Sequence, residues 1–245
     1  MLDTISLQIP QRYFSRTPQN IFNINYSSKA INIIESMENQ DCVFLKDRAK
    51  FFLGIVTGNN DKHLSKVQNE SYPDPIIIGK DMEKYTINFS NNYFKYNPVK
   101  LQQVAPQDLY TSQNKILYKF IGKKLTFALE TKGYYSLNNV NGFLPDMEEF
   151  NVETLLSLLN SSLIQYYYEK NYFTVKVLRG NLERLPLKKI KQDNQKKIAI
   201  LASQILENSS NKNVISENID DIIFHEYGIK DKNAFDIVES KNELN

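Results

Sequence analysis

Residues 54–61, GIVTGNND, place two glycines, a threonine and two asparagines directly after the apolar run Phe51, Phe52 and Leu53. Glycine lets the backbone take positive φ and approach another molecule closely, while asparagine tolerates such turns and offers a paired donor and acceptor. That chemistry suits a phosphate or a base edge, although the same composition also serves as a plain connector between strands. A second candidate is Glu130-Thr131-Lys132 in FALETKG, a carboxylate-x-lysine arrangement of the kind used by metal-dependent nucleases, with Asp108 or Asp81 as an upstream acid. Metal catalysis needs at least two converging oxygen ligands, and a solvated ion pair at a strand end is the simpler reading of the tripeptide.

Other chemistry is missing. Neither GxxxxGK[ST] nor GxSxG is present, and no Gly-rich motif suited to a nucleotide cofactor follows a strand. Cys42 is the only cysteine and His63 and His225 the only histidines, so one chain cannot build a disulfide framework or a Cys/His zinc cluster. Any metal site would rest on carboxylates.

A chain of 245 residues, 41% hydrophobic and 24% charged, suffices for one large domain, or one domain with an appendage. No apolar run approaches the roughly 18 to 20 residues of a membrane span. The start MLDTISLQIPQRYF lacks the basic and apolar regions of a signal peptide, so the expected compartment is the cytoplasm. The net charge of +2 conceals an asymmetry: 26 Lys+Arg face 19 Asp+Glu through Lys197, and 4 face 9 after it. A basic body of +7 followed by a tail of −5 is compatible with phosphate binding by the body. The 28 asparagines, and 25 lysines against 5 arginines, point to an AT-rich genome rather than to a function.

The elements that must position these residues follow from pattern. The scattered apolar residues Leu7, Ile9, Tyr13, Phe14, Ile21 and Phe22 read as the exit from a preceding domain. Ser27 or Ser28 caps a helix carrying Ile31, Ile34 and Met37 and ending near Asn39. Strands are expected at 51–56, 75–79, 85–89, 115–121, 125–130 and 134–137, separated by Gly, Asn, Pro and Lys. The stretch NVETLLSLLNSSLIQYYY predicts one buried helix over 151–168 with an asparagine cap, its Leu155, Leu159 and Leu163 in the core and its Asn160, Ser161 and Ser162 cluster a packing feature. A strand-loop segment, FTVKVLRGNLERLPL, precedes a helix from Asp193 to about Glu207 with Ile198, Leu201, Ala202 and Ile205 on one face. Two short acidic helices joined at Tyr227-Gly228 close the chain. The fold class is therefore α/β (α+β): a mixed twisted sheet of short strands with a buried core helix, then a helical C-terminal extension.

GIVTGNND, PIIIGKDMEKY, KILYKFIGKKLTFALETKGYYSLNNV, LLSLLNSSLIQYYY and VLRGNLERLPL, in this order and spacing, resemble the TaqI-like C-terminal specificity domain of type IIG restriction-modification enzymes and adenine-specific DNA methyltransferases. The resemblance covers about residues 45–230 and lies in five collinear blocks; ENIDDIIFHEYGI resembles the acidic helical ending of those polypeptides. Lys62 and His63 stand where the family often continues with a lysine and an aromatic. The family's glycine-containing S-adenosylmethionine loop and Asn-Pro-Pro-Tyr motif have no counterpart, the nearest string being Asn97-Pro98-Val99. The resemblance thus implies a linker and helix at 1–44, a target recognition domain at 45–191 and an acidic helical extension at 192–245.

What the resemblance implies is recognition of double-stranded DNA, with catalysis left to a methyltransferase domain in cis or in trans. Cofactors are expected to be none in this chain, S-adenosylmethionine and magnesium belonging to the catalytic domains. Thr57, Gly58, Asn59 and Asn60 form the implied DNA-facing loop. Lys62, Lys80, Lys119, Lys123 and Lys124 are candidates for phosphate, and Arg179 for a guanine edge, because its fork can bond two acceptors at once. Tyr134, Tyr135, Asn138 and Asn139 are candidates for bases. The alternatives are a type I restriction specificity subunit, a metal-dependent nuclease using Glu130 and Lys132, and a protein-interaction module using the 198–205 stripe and the acidic tail.

Overall fold

Ile31, Ile34 and Met37 fall on one face of α1 (Ser28–Glu38) in a computed structural model that describes residues 28–122, 124–172, 174–207 and 210–229. The expected domain exit before Ser27, Lys123, and the second acidic helix beyond Gly228 lie outside the described residues. After α1 come β1 (Cys42–Val43), β2 (Ala49–Phe52), α2 (Asn60–His63), β3 (Asp74–Ile77), β4 (Tyr93–Phe94) and α3 (Gln107–Thr111). Next are β5 (Lys115–Lys119), β6 (Phe127–Glu130), β7 (Tyr135–Ser136) and β8 (Val140–Pro145). The chain continues through α4 (Val152–Asn160), α5 (Ser162–Asn171), α6 (Arg179–Leu182), β9 (Leu187–Lys188), α7 (Gln192–Leu206) and α8 (Lys212–Glu226).

The central sheet runs β2-β8-β5-β6, antiparallel throughout, with Ile116 opposite both Leu129 and Phe143. Both of its faces are covered, which is why β5 reads as an unbroken buried run instead of alternating. Ile116, Tyr118, Phe127 and Phe143 face a layer built from α1, α4, α5, α7 and α8. Phe52, Leu117, Ala128 and Val140 face the other way, onto a smaller sheet, β4-β3-β7, whose β3 and β7 are parallel. A short pair, β1-β9, brings the chain just after α1 beside the segment that precedes α7. The fold is thus the expected mixed α/β arrangement. Among the described residues no helix is long and apolar enough to cross a membrane.

Three local expectations need correction. The 151–168 helix is two helices: Asn151 caps α4 by accepting the Thr154 N–H (2.7 Å), but Ser161 is extended and recaps α5 by accepting the Ile164 N–H (3.2 Å). The break lets Asn160 act as a strand partner, its amide accepting the Phe127 N–H (3.0 Å) and donating to the Phe127 carbonyl (2.9 Å). Residues 85–89 form no strand, only isolated bridges from Tyr85 to Ala128 and from Met82 to Ile87, with Tyr85 at φ 72°. Conversely β8 was not expected, because Asn141-Gly142 resembles a turn signal. Gly142 is there because a Cβ would collide with Phe52 and Leu117, and the Asn141 side chain accepts the Gly54 N–H (2.9 Å).

Candidate nucleic-acid interface

The tight turn 137–140, closed by Val140 N–H donating to the Leu137 carbonyl (2.7 Å), is where the sequence's separate candidate segments meet. The Asn138 N–H donates to Ile55 (2.9 Å), joining the turn to the Gly-Asn loop. The Leu137 N–H donates to Ile77 (2.9 Å) and the Asn139 side chain accepts the Gly79 N–H (3.0 Å), joining it to the segment of Lys80. Phe120 N–H donates to the Asn139 carbonyl (3.0 Å), joining it to the end of β5, where Lys119 lies opposite Val140. Three stretches far apart in sequence are therefore pinned to four consecutive residues. Residues 120–122 in turn pair with 175–177, which end two residues before Arg179 at the start of α6.

Within the first loop the glycines have different tasks. Gly54 makes a close approach, but to its own chain: a Cβ there would fall well inside contact distance of the Leu137 and Val140 carbonyls. Gly58 instead supplies positive φ, at 81°, for the turn into α2. Thr57 is buried, and its hydroxyl donates to Asn60 Oδ1 (2.6 Å). Asn59 caps α2 by accepting the Lys62 N–H (3.1 Å). The Thr57, Asn59 and Asn60 side chains are engaged within the loop, and Gly58, Asn59, Asn60 and Lys62 are exposed on it.

Of the other candidates, Lys80, Lys124 and Asn138 are exposed and Lys119 is half-buried. Lys124 lies near Lys84, whose amine also feels Asp220 and Glu169, so its surroundings are partly acidic. Burial holds the Lys84 pKa below the usual lysine value, and its amine donates to the Asn160 carbonyl (2.8 Å). Arg179 is 60% exposed; its Nε donates to Glu183 (2.7 Å) and its guanidinium sits 5.2 Å from the Phe51 ring centroid. It forms part of the lining of a groove of about 370 Å³ with Phe51, Leu53, Val104 and Pro106. Tyr135 needs correction as a base contact, since its ring is 4% exposed and packs against Phe94, Tyr96 and Tyr110. Its hydroxyl accepts from Gln107 (2.7 Å). Tyr134 is half-buried against Phe89. Sequence reading missed Lys176 as a candidate, although its alternation with Val175 and Val177 in FTVKV was a strand signal.

The nuclease reading of Glu130 and Lys132 finds no support. Glu130 is 3% exposed and ion-paired with the fully buried Lys115, and its carboxylate accepts N–H groups from Lys132 (2.7 Å), Gly133 (3.0 Å) and Tyr134 (3.2 Å). With its oxygens so engaged it organises the turn after β6 instead of a metal. Burial lowers the Lys115 pKa and the Glu130 charge opposes that shift. Of the two upstream acids, Asp81 is also buried, accepting the Ile78 N–H (3.0 Å), and Asp108 is exposed on α3. Among the described residues no group of three or more His, Cys, Asp or Glu could hold a metal ion.

The fold is similar to that of a solved restriction-modification enzyme. The Type IIL restriction-modification enzyme MmeI, solved in complex with DNA, superimposes with a TM-score of 0.53 at 12% identity, over 75% of this chain and 33% of that one. The type IIG restriction endonuclease BpuSI gives 0.47 at 11% identity, over 82% and 34%. Residues 74–187 match the TaqI-like C-terminal specificity domain, the family that the sequence blocks resemble. The Type II methyltransferase M.VspI of Vibrio sp. (strain 343) is 31% identical over 77 residues, 31% of this chain and 19% of that protein. The chain therefore spans about a fifth of that curated relative.

Proposed function

We propose that this chain reads a specific sequence in double-stranded DNA, as the target recognition domain of a type IIG restriction-modification enzyme or adenine-specific methyltransferase. Methylating the exocyclic amine of adenine requires the base to leave the stack, so a separate surface must hold and identify the surrounding duplex. The observation that carries this reading is the 137–140 turn, which gathers the Gly-Asn loop, the Lys80 segment and the Lys119 end of β5. Exposed lysines there neutralise phosphates while a few side chains address base edges. S-adenosylmethionine and magnesium belong to catalytic domains acting in cis or in trans. The similarity to a type II methyltransferase favours this assignment over a type I specificity subunit.

Duplex binding by the full chain, measured by fluorescence anisotropy over a range of salt concentrations, tests the proposal. Lys62→Ala combined with Lys80→Ala should weaken binding to all duplexes similarly and reduce the slope of log K against log salt by about 2, about one counterion fewer being released for each lost contact. An unchanged slope would remove both lysines from the interface. No binding to any duplex at low salt would contradict the function itself.

A further inference from the structure

Residues 120–122, which continue the inner strand β5 past its end, pair with residues 175–177 as a short two-stranded ribbon. The Gly122 N–H donates to Val175 (3.0 Å) and the Val177 N–H to Phe120 (2.8 Å), flanking an antiparallel bridge between Ile121 and Lys176. Those two bonds make Ile121 and Lys176 a non-hydrogen-bonded pair, the closer of the two antiparallel pairings, with both side chains on one face. Ile121 is 58% exposed and Val175 63%, although β-branched residues on a sheet normally pack. Gly122, opposite Val175, leaves the tip narrow. Cations surround this apolar tip: Lys119 at its base, Lys176 beside Ile121 and Arg179 just beyond the second strand.

An apolar tip framed by lysine and arginine is poorly suited to a hydrophobic protein partner, where the charges would be desolvated without compensation. It is well suited to a DNA groove. The major groove of B-form DNA admits a two-stranded ribbon, its walls are phosphate, and the 5-methyl group of thymine is its one apolar base-edge feature. We infer that the 120–122/175–177 ribbon enters the major groove, with Ile121 in contact with a thymine methyl group and Lys176 donating beside it. This rests on the DNA-reading function proposed above.

The test begins with selection of a preferred site from a randomised duplex pool by the full chain. Thymidines of the selected duplex are then replaced one at a time by deoxyuridine, which removes only the methyl group. For the unsubstituted protein, one replacement should weaken binding roughly fourfold, the value of one buried methyl group. Ile121→Ala should bind the thymidine duplex more weakly and lose its response to that replacement alone, with an unchanged melting temperature. If no duplex is enriched, the DNA-reading function fails. If a duplex is enriched but no thymidine is methyl-sensitive, or Ile121→Ala keeps the sensitivity, the ribbon assignment alone is wrong. Loss of self-association in Ile121→Ala, with DNA binding intact, would likewise overturn it in favour of contact between copies of the chain.

Discussion

Glu130→Ala is expected to lower the unfolding free energy by about 4 kcal/mol, because it leaves the Lys115 ammonium buried without its counter-charge. The same change orphans three backbone N–H groups of the turn after β6. Glu130→Gln keeps an acceptor for those amides but not the charge, and should be less damaging. Combining Glu130→Gln with Lys115→Met should recover stability relative to Glu130→Gln alone, since both halves of the ionic pair are then gone. Urea unfolding followed by circular dichroism measures each value. A Glu130→Ala protein as stable as the parent would show that the carboxylate is not the structural anchor described.

Gly54→Ala should be comparably severe, at about 3 kcal/mol, for a steric reason. The new methyl group would press on the carbonyls of Leu137 and Val140, which are backbone atoms and cannot rotate away. Relief requires the first loop to separate from the turn, breaking the Ile55 N–H bond to Ser136 (2.7 Å) and the Asn138 N–H bond to Ile55 (2.9 Å). Gly58→Ala provides the comparison. There the added Cβ finds room beside Gln102, and the cost is the left-handed backbone, about 1 to 2 kcal/mol. Equal stabilities for the two variants, read from chemical unfolding, would show that the close approach at Gly54 does not hold the loop in place.

These two residues show what could be read from sequence and what could not. Periodicity was sufficient for α1 and α7, where Ile31, Ile34, Ile198 and Ala202 recur on a buried face, and side-chain chemistry was sufficient for the Asn151 cap. The glycines in GIVTGNND were recognisable as a demand for close approach, but the partner was hidden, because Leu137 and Val140 lie more than eighty residues downstream. Glu130 suggested chemistry with Lys132, its near neighbour, while its true counter-ion is Lys115 on the adjacent strand. The helix break at Ser161 was masked by apolar residues that continue on both sides of it. Tyr135 looked available because burial on the inner face of a two-residue strand leaves no periodic trace. The common cause is that non-local pairing, unlike helical periodicity, is not written in neighbouring residues.

On the proposed function, the segments gathered by the 137–140 turn form one surface for duplex DNA. Amide hydrogen exchange of the full chain, with and without a selected duplex, measures this most directly. Exchange should slow at residues 57–62, 79–80, 119–122, 138–139 and 175–177 and remain unchanged along α7 and α8. Slowing confined to α7 and α8, or no slowing anywhere with the duplex bound in excess, would contradict it.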